Sequence, residues 1–252
     1  IRFFHKKFRL PIYAVYAFVR SADEIVDTFH AYNKAELLRR YKADTYQALE
    51  EQISLNPVLN SFQHYANQYG IDHECIDSFF RSMEMDLNKD SHNAETYKEY
   101  INGSAEVIGL MCLRVFCEGD RALYERLKDY AIVLGSAYQK INFLRDLRDD
   151  YYELGRIYFP SIDIDDFNEV TKQALVKNIK EEFFQGLEGI KKLPVSAGLG
   201  VYLSYVYYYA LLKKINRTSA TSLLKIRVRI PNLQKYLLMI YTLINYWFLK
   251  KA

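Results

Sequence analysis

Tyr138-Gln139-Lys140-Ile141-Asn142-Phe143-Leu144-Arg145-Asp146-Leu147-Arg148-Asp149-Asp150 is uninterrupted by glycine or proline and reads as the interior of one helix. Rotated at 3.6 residues per turn and extended backwards, it sets Ile132, Gly135, Gln139, Asn142, Asp146 and Asp150 on a single face. Val133, Ala137, Ile141 and Leu144 occupy the other sides. A surface helix carries its charges opposite its apolar stripe. This one is enclosed by protein on most of its circumference and keeps one polar stripe. The pattern predicts a helix from about Arg121 to Leu154, stopped by Gly155.

Outward from that helix the same periodicity recurs to both ends, and no alternating run bounded by Asn-Gly or Asp-Gly signals a strand. The expected fold class is all-α, in one domain spanning residues 1–252, because no linker-like stretch divides the chain. Pro11 is expected to open a first helix that runs to about Ala31. Further helices are expected at about 34–52, at 57–70 behind Asn56, and at 73–88 behind Asp72. Others follow at 94–117, 165–191, 195–216 and 231–250, with a short piece near 219–226.

Composition removes several classes of function. Half of the residues are hydrophobic, and Gly and Pro number only 10 and 5, which favours long helices and a large core. A formal net charge of +3 is too small to mark a nucleic-acid binder, so none is expected as a partner. Cys75, Cys112 and Cys117 show no CxxC spacing and suit a reducing cytoplasm, as small core residues. His5, His30, His64, His73 and His92 lack HxxxH spacing, which argues against zinc and places them at the surface. Gly198-Leu199-Gly200 is not a dinucleotide fingerprint, and no P-loop occurs. The uncharged run Leu193–Leu212 holds Pro194, two glycines and five tyrosines, so a buried helix is favoured over a membrane span. Tyr236–Leu249, between Lys235 and Lys250-Lys251, is expected to be a packed final helix able to rest on a membrane surface. The expected location is the cytoplasm, with a peripheral position at the inner membrane as the variant. A start at Ile1 predicts that an upstream segment precedes the chain.

A second acidic cluster, Asp23-Glu24-Ile25-Val26-Asp27, repeats the four-residue spacing of Asp146 and Asp150. Such spacing stacks carboxylates on one helical face, where they repel unless a cation joins them. Ile12, Tyr16, Val19, Arg20, Asp23 and Asp27 share a face, so the acids are read as continuing an apolar stripe. One such pair on a helix is commonly a solvated face. Two, each in phase with a buried stripe and each beside an arginine, point to an Mg²⁺–diphosphate site. Carboxylates are the hard donors that Mg²⁺ takes together with water and phosphate oxygens, and burying them without cations costs several kcal/mol. Arg20 and Arg145 supply planar donors for phosphate, while Gln139 and Asn142 can hold the same ligand. Glu24 and Asp149 lie at the edges of their stripes. Arg227-Val228-Arg229-Ile230-Pro231 reads, on chemistry alone, as a solvated basic turn, and the tyrosines at 202, 205, 207, 208 and 209 as core packing.

At these residues the chain resembles the squalene/phytoene synthase family of head-to-head prenyl synthases. Leu10-Pro11 through Ala14-Val15-Tyr16-Ala17-Phe18-Val19-Arg20 to Asp27 is similar to the first aspartate-rich motif, and Tyr138 to Asp150 with Gly155-Arg156-Ile157-Tyr158-Phe159-Pro160 to the second. Tyr100–Met111 is similar to the helix that lies against the substrate tails. The resemblance implies the isoprenoid-synthase bundle around a central cavity. It also implies metal ligands at Asp23, Asp27, Asp146 and Asp150, with Glu24 where many members have a second Asp. Diphosphate contacts would come from Arg20, Arg145 and Arg227, and Tyr16, Gln139 and Asn142 would line the reaction centre. Asn102 departs from a frequent Tyr, and the Ser/Phe-containing segment ahead of the first motif is missing. The implied cofactor is Mg²⁺, or Mn²⁺ in its place, with NADPH needed only for a squalene-type product. The implied reaction joins two geranylgeranyl diphosphates to phytoene through a cyclopropylcarbinyl diphosphate, as in bacterial phytoene synthases. The alternatives are squalene or dehydrosqualene synthesis from farnesyl diphosphate, a terpene cyclase, and a non-catalytic assembly factor. Prenyl diphosphates are the expected partners, and the oligomeric state is left as monomer or dimer.

Overall fold

A computed structural model describes residues 1–88, 92–160, 164 and 166–250. Among them every regular element is helical: α1 (Lys6–Asp27), α2 (Lys34–Glu51), α3 (Pro57–Tyr69), α4 (His73–Asn88), α5 (Ala94–Ile101), a π-helical segment (Asn102–Glu106) and α6 (Val107–Cys117). Then come α7 (Arg121–Leu154), α8 (Glu169–Lys192), α9 (Val195–Arg217), α10 (Ala220–Leu223) and α11 (Asn232–Leu249). Local chemistry sets the ends. Asn56 Oδ1 accepts from Val58 N at 3.0 Å ahead of Pro57, and Gly70 closes α3 at φ +64°. Asp120 Oδ1 accepts from Leu123 N at 2.9 Å to start α7. At its far end Gly155 takes φ +69°, and Arg156 N donates to Asp150 O at 2.9 Å, which turns the chain back along the helix.

Two expected boundaries are corrected. α1 begins at Lys6 rather than Pro11 and stops at Asp27 rather than Ala31. His5 Nδ1 accepts from Lys7 N at 3.4 Å, so the cap lies a turn and a half ahead of the proline, which the helix accommodates in its second turn. The run 94–117 is not one α-helix, because residues 102–106 widen into a π turn. Gly103 is the reason that turn fits: a Cβ there would stand 2.2 Å from Ser78 O of α4. Gly135 of α7 meets the same segment from the other side, its Cβ position 2.7 Å from Ala105 O. Gly103→Ala is therefore expected to force α4 away from the π segment and to cost about 1–3 kcal/mol, read as a lower midpoint in urea with an unchanged slope.

α7 is the axis of the bundle, packed by α6, the π segment, α8, α9 and α10. α1 lies against α2, α3, α4 and α6. Phe18 stacks on Phe62 at 3.9 Å and meets Phe79 and Phe80, so α1 buries Val15, Phe18, Ala22, Ile25 and Val26. This overturns the expected phase. The acids of α1 border the buried stripe instead of continuing it, since α2–α4 take one side of the helix and the side bearing Tyr16, Arg20, Asp23 and Asp27 is left to the cleft. The helical runs Ala94–Cys117 and Val195–Arg217 have the length and composition of membrane spans, yet 56% and 44% of them is buried within the bundle. Cys75 and Cys117 are buried and Cys112 half-buried, as core residues.

Candidate active site

The face of α7 that carries Ile132, Gly135, Gln139, Asn142, Asp146 and Asp150 is half-buried along its whole length, while Ala137, Ile141 and Leu144 are fully enclosed. Polarity changes in order along it, from aliphatic through amide to carboxylate. Gln139 to Asp146 is seven residues, about 10 Å of helix.

At the acidic end three guanidinium groups face the carboxylates. Asp146 accepts from Arg145 Nε at 2.9 Å and from Arg227 Nε at 2.7 Å. Arg227 Nη1 stands 3.8 Å from Asp149, which also pairs with Arg148 at 2.6 Å. Arg227 is held there because Val228 and Ile230 on either side of Arg229 are buried in the core. The reading of 227–231 as a solvated basic turn is thus corrected at Arg227, because alternate apolar residues anchor the segment. Arg156, 10% exposed, donates to Asp27 Oδ1 at 3.1 Å and to the backbone oxygen of Asp86 at 2.9 Å, with Asp86 Oδ1 at 3.6 Å. It joins the first acidic cluster to the C-terminal end of α7.

The carboxylates are crowded and desolvated. Asp150 is pushed up to about 8, first by burial and then by Asp146, with Asp27 and Asp86 adding to it and Arg156 opposing. Asp23 is pushed up to about 6 by burial and Asp27, against Arg20. Asp86 is pushed up to about 7 by burial, with Arg156 pulling the other way. That Asp27 and Asp86 are felt at Asp150 means the two sequence clusters meet across one cleft. Among the described residues no three His, Cys, Asp or Glu side chains converge closely enough to hold a metal ion. In this arrangement guanidinium groups stand beside the carboxylates.

The remaining predicted residues are distributed unevenly. Asn142 Nδ2 donates to Gln139 Oε1 at 3.2 Å and its Oδ1 accepts from Tyr208 at 3.3 Å, while Tyr208 stacks on Tyr138 at 4.3 Å. Part of the tyrosine cluster therefore belongs to the site and not only to the core. Glu24 turns to Arg20 and to Thr28 Oγ1 at 2.7 Å, and the Thr28 hydrogen bond holds its carboxyl below the usual range. Arg20 and Tyr16 lie on the cleft side of α1 but open to solvent, Tyr16 at 59% exposure.

Sequence reasoning missed Asp86, Tyr100, Tyr158 and the bridging role of Arg156. Tyr100 donates to Asp86 Oδ2 at 3.0 Å and Tyr158 to Oδ1 at 3.3 Å. The available signal was the lone acid after Ser82-Met83-Glu84-Met85 and the arginine directly behind the helix stop at Gly155. His92 is corrected as well. It is buried against Tyr100 and Tyr158 rather than exposed, because this aromatic cluster needs a flat neighbour.

From Gln139 an apolar cavity of about 310 Å³ runs between α1, α6, α7, α8 and α9, its walls including Ile12, Ile108, Leu134 and Val201.

The family described as squalene/phytoene synthase matches residues 1–234. The chain is 27% identical over 195 residues to a phytoene synthase of Arthrospira platensis, covering 69% of this chain and 60% of that one. It is 24% identical over 166 residues to a 4,4'-diapophytoene synthase of Staphylococcus haemolyticus, covering 64% and 55%. It thus spans just over half the length of the curated relatives it matches. The crystal structure of a dehydrosqualene synthase in complex with ligand superposes with TM-score 0.83 at 21% identity, over 100% of this chain and 90% of that one. Squalene synthase HpnC from Alicyclobacillus acidocaldarius superposes with TM-score 0.72 at 21% identity, over 83% of each. At these identities the two structures speak to the fold.

Proposed function

Because the chain belongs to the squalene/phytoene synthase family, we propose that it condenses two prenyl diphosphates head to head, with geranylgeranyl diphosphate as substrate and phytoene as product. The observation that carries this is the order of side chains along α7. An apolar cavity begins at Gln139 and an acid–arginine cluster lies about 10 Å further on, so one face fits a molecule with a hydrocarbon tail and an anionic head. The C20 reading is supported by relatives named phytoene synthase, such as those of Arthrospira platensis and Mycobacterium tuberculosis. The 4,4'-diapophytoene synthase relative favours the second reading, condensation of farnesyl diphosphates.

In the proposed reaction Arg145 and Arg227 exchange part of their pairing with Asp146 for the diphosphate oxygens and balance charge as the allylic C–O bond breaks. Asn142 and Gln139 orient the reacting carbons at the cavity mouth. Tyr138 and Tyr208 present ring faces near the developing cation. The packed walls of α6–α9 exclude the water that would trap it as an alcohol. The second double bond attacks, and loss of one proton after the second ionisation gives the hydrocarbon. Asp23, Asp27, Asp146 and Asp150 fit a hard divalent cation: they are oxygen donors, and the raised values at Asp23 and Asp150 mean that added positive charge is favoured there. Mg²⁺, when bound, would supply Lewis acidity toward the leaving diphosphate.

The test is incubation with labelled geranylgeranyl or farnesyl diphosphate, Mg²⁺ and detergent, followed by hydrocarbon extraction. A C40 hydrocarbon is expected from the C20 substrate, and Asp146→Ala is expected to abolish it at an unchanged melting temperature. A C30 product moves the assignment to the farnesyl reading, a cyclised C20 to a terpene cyclase, and a folded, active Asp146→Ala variant removes the site assignment.

A further inference from the structure

α11 packs on α9 through Thr242 and Tyr246 and leaves its other face open. Leu233, Tyr236, Leu237, Ile240, Tyr241, Leu243, Ile244, Trp247 and Phe248 are each at least 40% exposed. At 100° per residue they cover an arc of roughly 160°. Tyr236–Leu249 is therefore not the packed helix expected from its composition, since only one side of it meets the bundle. An apolar face of this size on a terminal helix marks an interaction surface.

Charge identifies the partner. After Glu188 the chain has eleven Lys and Arg and no acid, so within the overall +3 the last quarter carries +11 and residues 1–188 carry −8. Lys225 and Arg229, in the segment leading into α11, and Lys235 at its start are exposed. A second copy docked face to face would set +11 against +11. A surface that is apolar in its interior and anionic at its boundary meets both features at once. Trp and Tyr side chains suit that boundary, with an apolar body and one polar atom. A further cavity of about 560 Å³ opens beside this helix at Tyr236, Leu238 and Met239 and shares Ser204 with the cavity along α7.

We propose that the outer face of α11, with Lys225, Arg229 and Lys235, docks the protein on an anionic lipid surface. The inference stands apart from the catalytic reading and is tested without turnover. Trp247 is the chain's single tryptophan and sits on the outer face, so its emission reports on that face alone. Vesicles containing about 30% phosphatidylglycerol should blue-shift it by roughly 10 nm, while phosphatidylcholine vesicles should leave it unchanged. Co-sedimentation with the anionic vesicles should weaken about 100-fold in a Lys225→Gln/Arg229→Gln/Lys235→Gln variant, and should fall with salt. Ile240→Ser/Ile244→Ser should abolish the shift at an unchanged melting temperature, because both side chains are already exposed. Absence of a shift on anionic vesicles overturns the proposal. So does a wild-type dimer in light scattering in which Trp247 is already shielded from aqueous quencher.

Discussion

Asp150→Asn is expected to yield a protein that melts higher than wild type at pH 8.5 and makes no product. Burial and the neighbouring Asp146, Asp27 and Asp86 raise the Asp150 carboxyl from 3.8 to about 8. A raised acid binds its proton more tightly in the folded state, so its favourable contribution is complete below pH 3.8 and is lost as pH rises through about 8. Wild type at pH 8.5 therefore folds with an ionised carboxylate in a crowded, half-dry place, whereas asparagine fills the same volume with no charge. The expected gain is about 2 kcal/mol, or roughly 4–8 °C for a domain of this size. At pH 5, where Asp150 is already protonated, the two proteins should melt together. Melting curves in EDTA from pH 5 to 9 decide the matter, and a variant that melts at or below wild type at pH 8.5 would show the cluster is not strained by charge. Turnover with prenyl diphosphate should fall by at least about 10³-fold, because the amide supplies neither the charge nor the donor strength of a carboxylate. Higher stability with lost chemistry is the signature of an acid kept for function.

The stripe along α7 was legible because it depends only on helical phase, and phase is read directly from spacing. Asp146, Asp150, Gln139 and Asn142 were therefore placed on one face from residue types alone, and the helix ends at Arg121 and Leu154 followed from Asp120 and Gly155. What failed was the phase of α1. Its apolar residues Ile12 and Val19 flank the acids in projection, but which arc is buried depends on where α2, α3 and α4 sit, and Phe62, Phe79 and Phe80 draw Phe18 inward rather than Tyr16. The π turn left no trace either, since Gly103 needs its neighbour Ser78 O, a contact across sequence, to show why it must be glycine. Asp86 was overlooked for the same reason. A single acid in an amphipathic helix looks solvated until Tyr100, Tyr158 and Arg156 close over it from three other places in the chain.

Arg156 is where those distant contacts meet, and its removal is expected to be the most destabilising single change in the site. Its guanidinium is 10% exposed, bridges Asp27 of α1 to Asp86 of α4, and hangs from the turn that ends α7. Asp86, 5% exposed, keeps only two phenol donors without it. Removing one partner of a buried ion pair leaves an uncompensated charge, at about 3–5 kcal/mol, so Arg156→Ala should lower the melting temperature at pH 8 by roughly 6–15 °C. The pH dependence separates charge from packing. With Arg156 gone, the cation that opposes the upward shift of Asp86 is gone too, so Asp86 should hold its proton to higher pH. The deficit should then be largest near pH 8 and should shrink toward pH 5, where Asp86 is neutral in both proteins. Asp86→Asn in the same chain should restore more than half of the loss, because the amide still accepts from Tyr100 and carries no charge. A deficit independent of pH, or one the second substitution deepens, would mean that Arg156 acts as a packed side chain and that α1, α4 and α7 are held together by their apolar contacts alone.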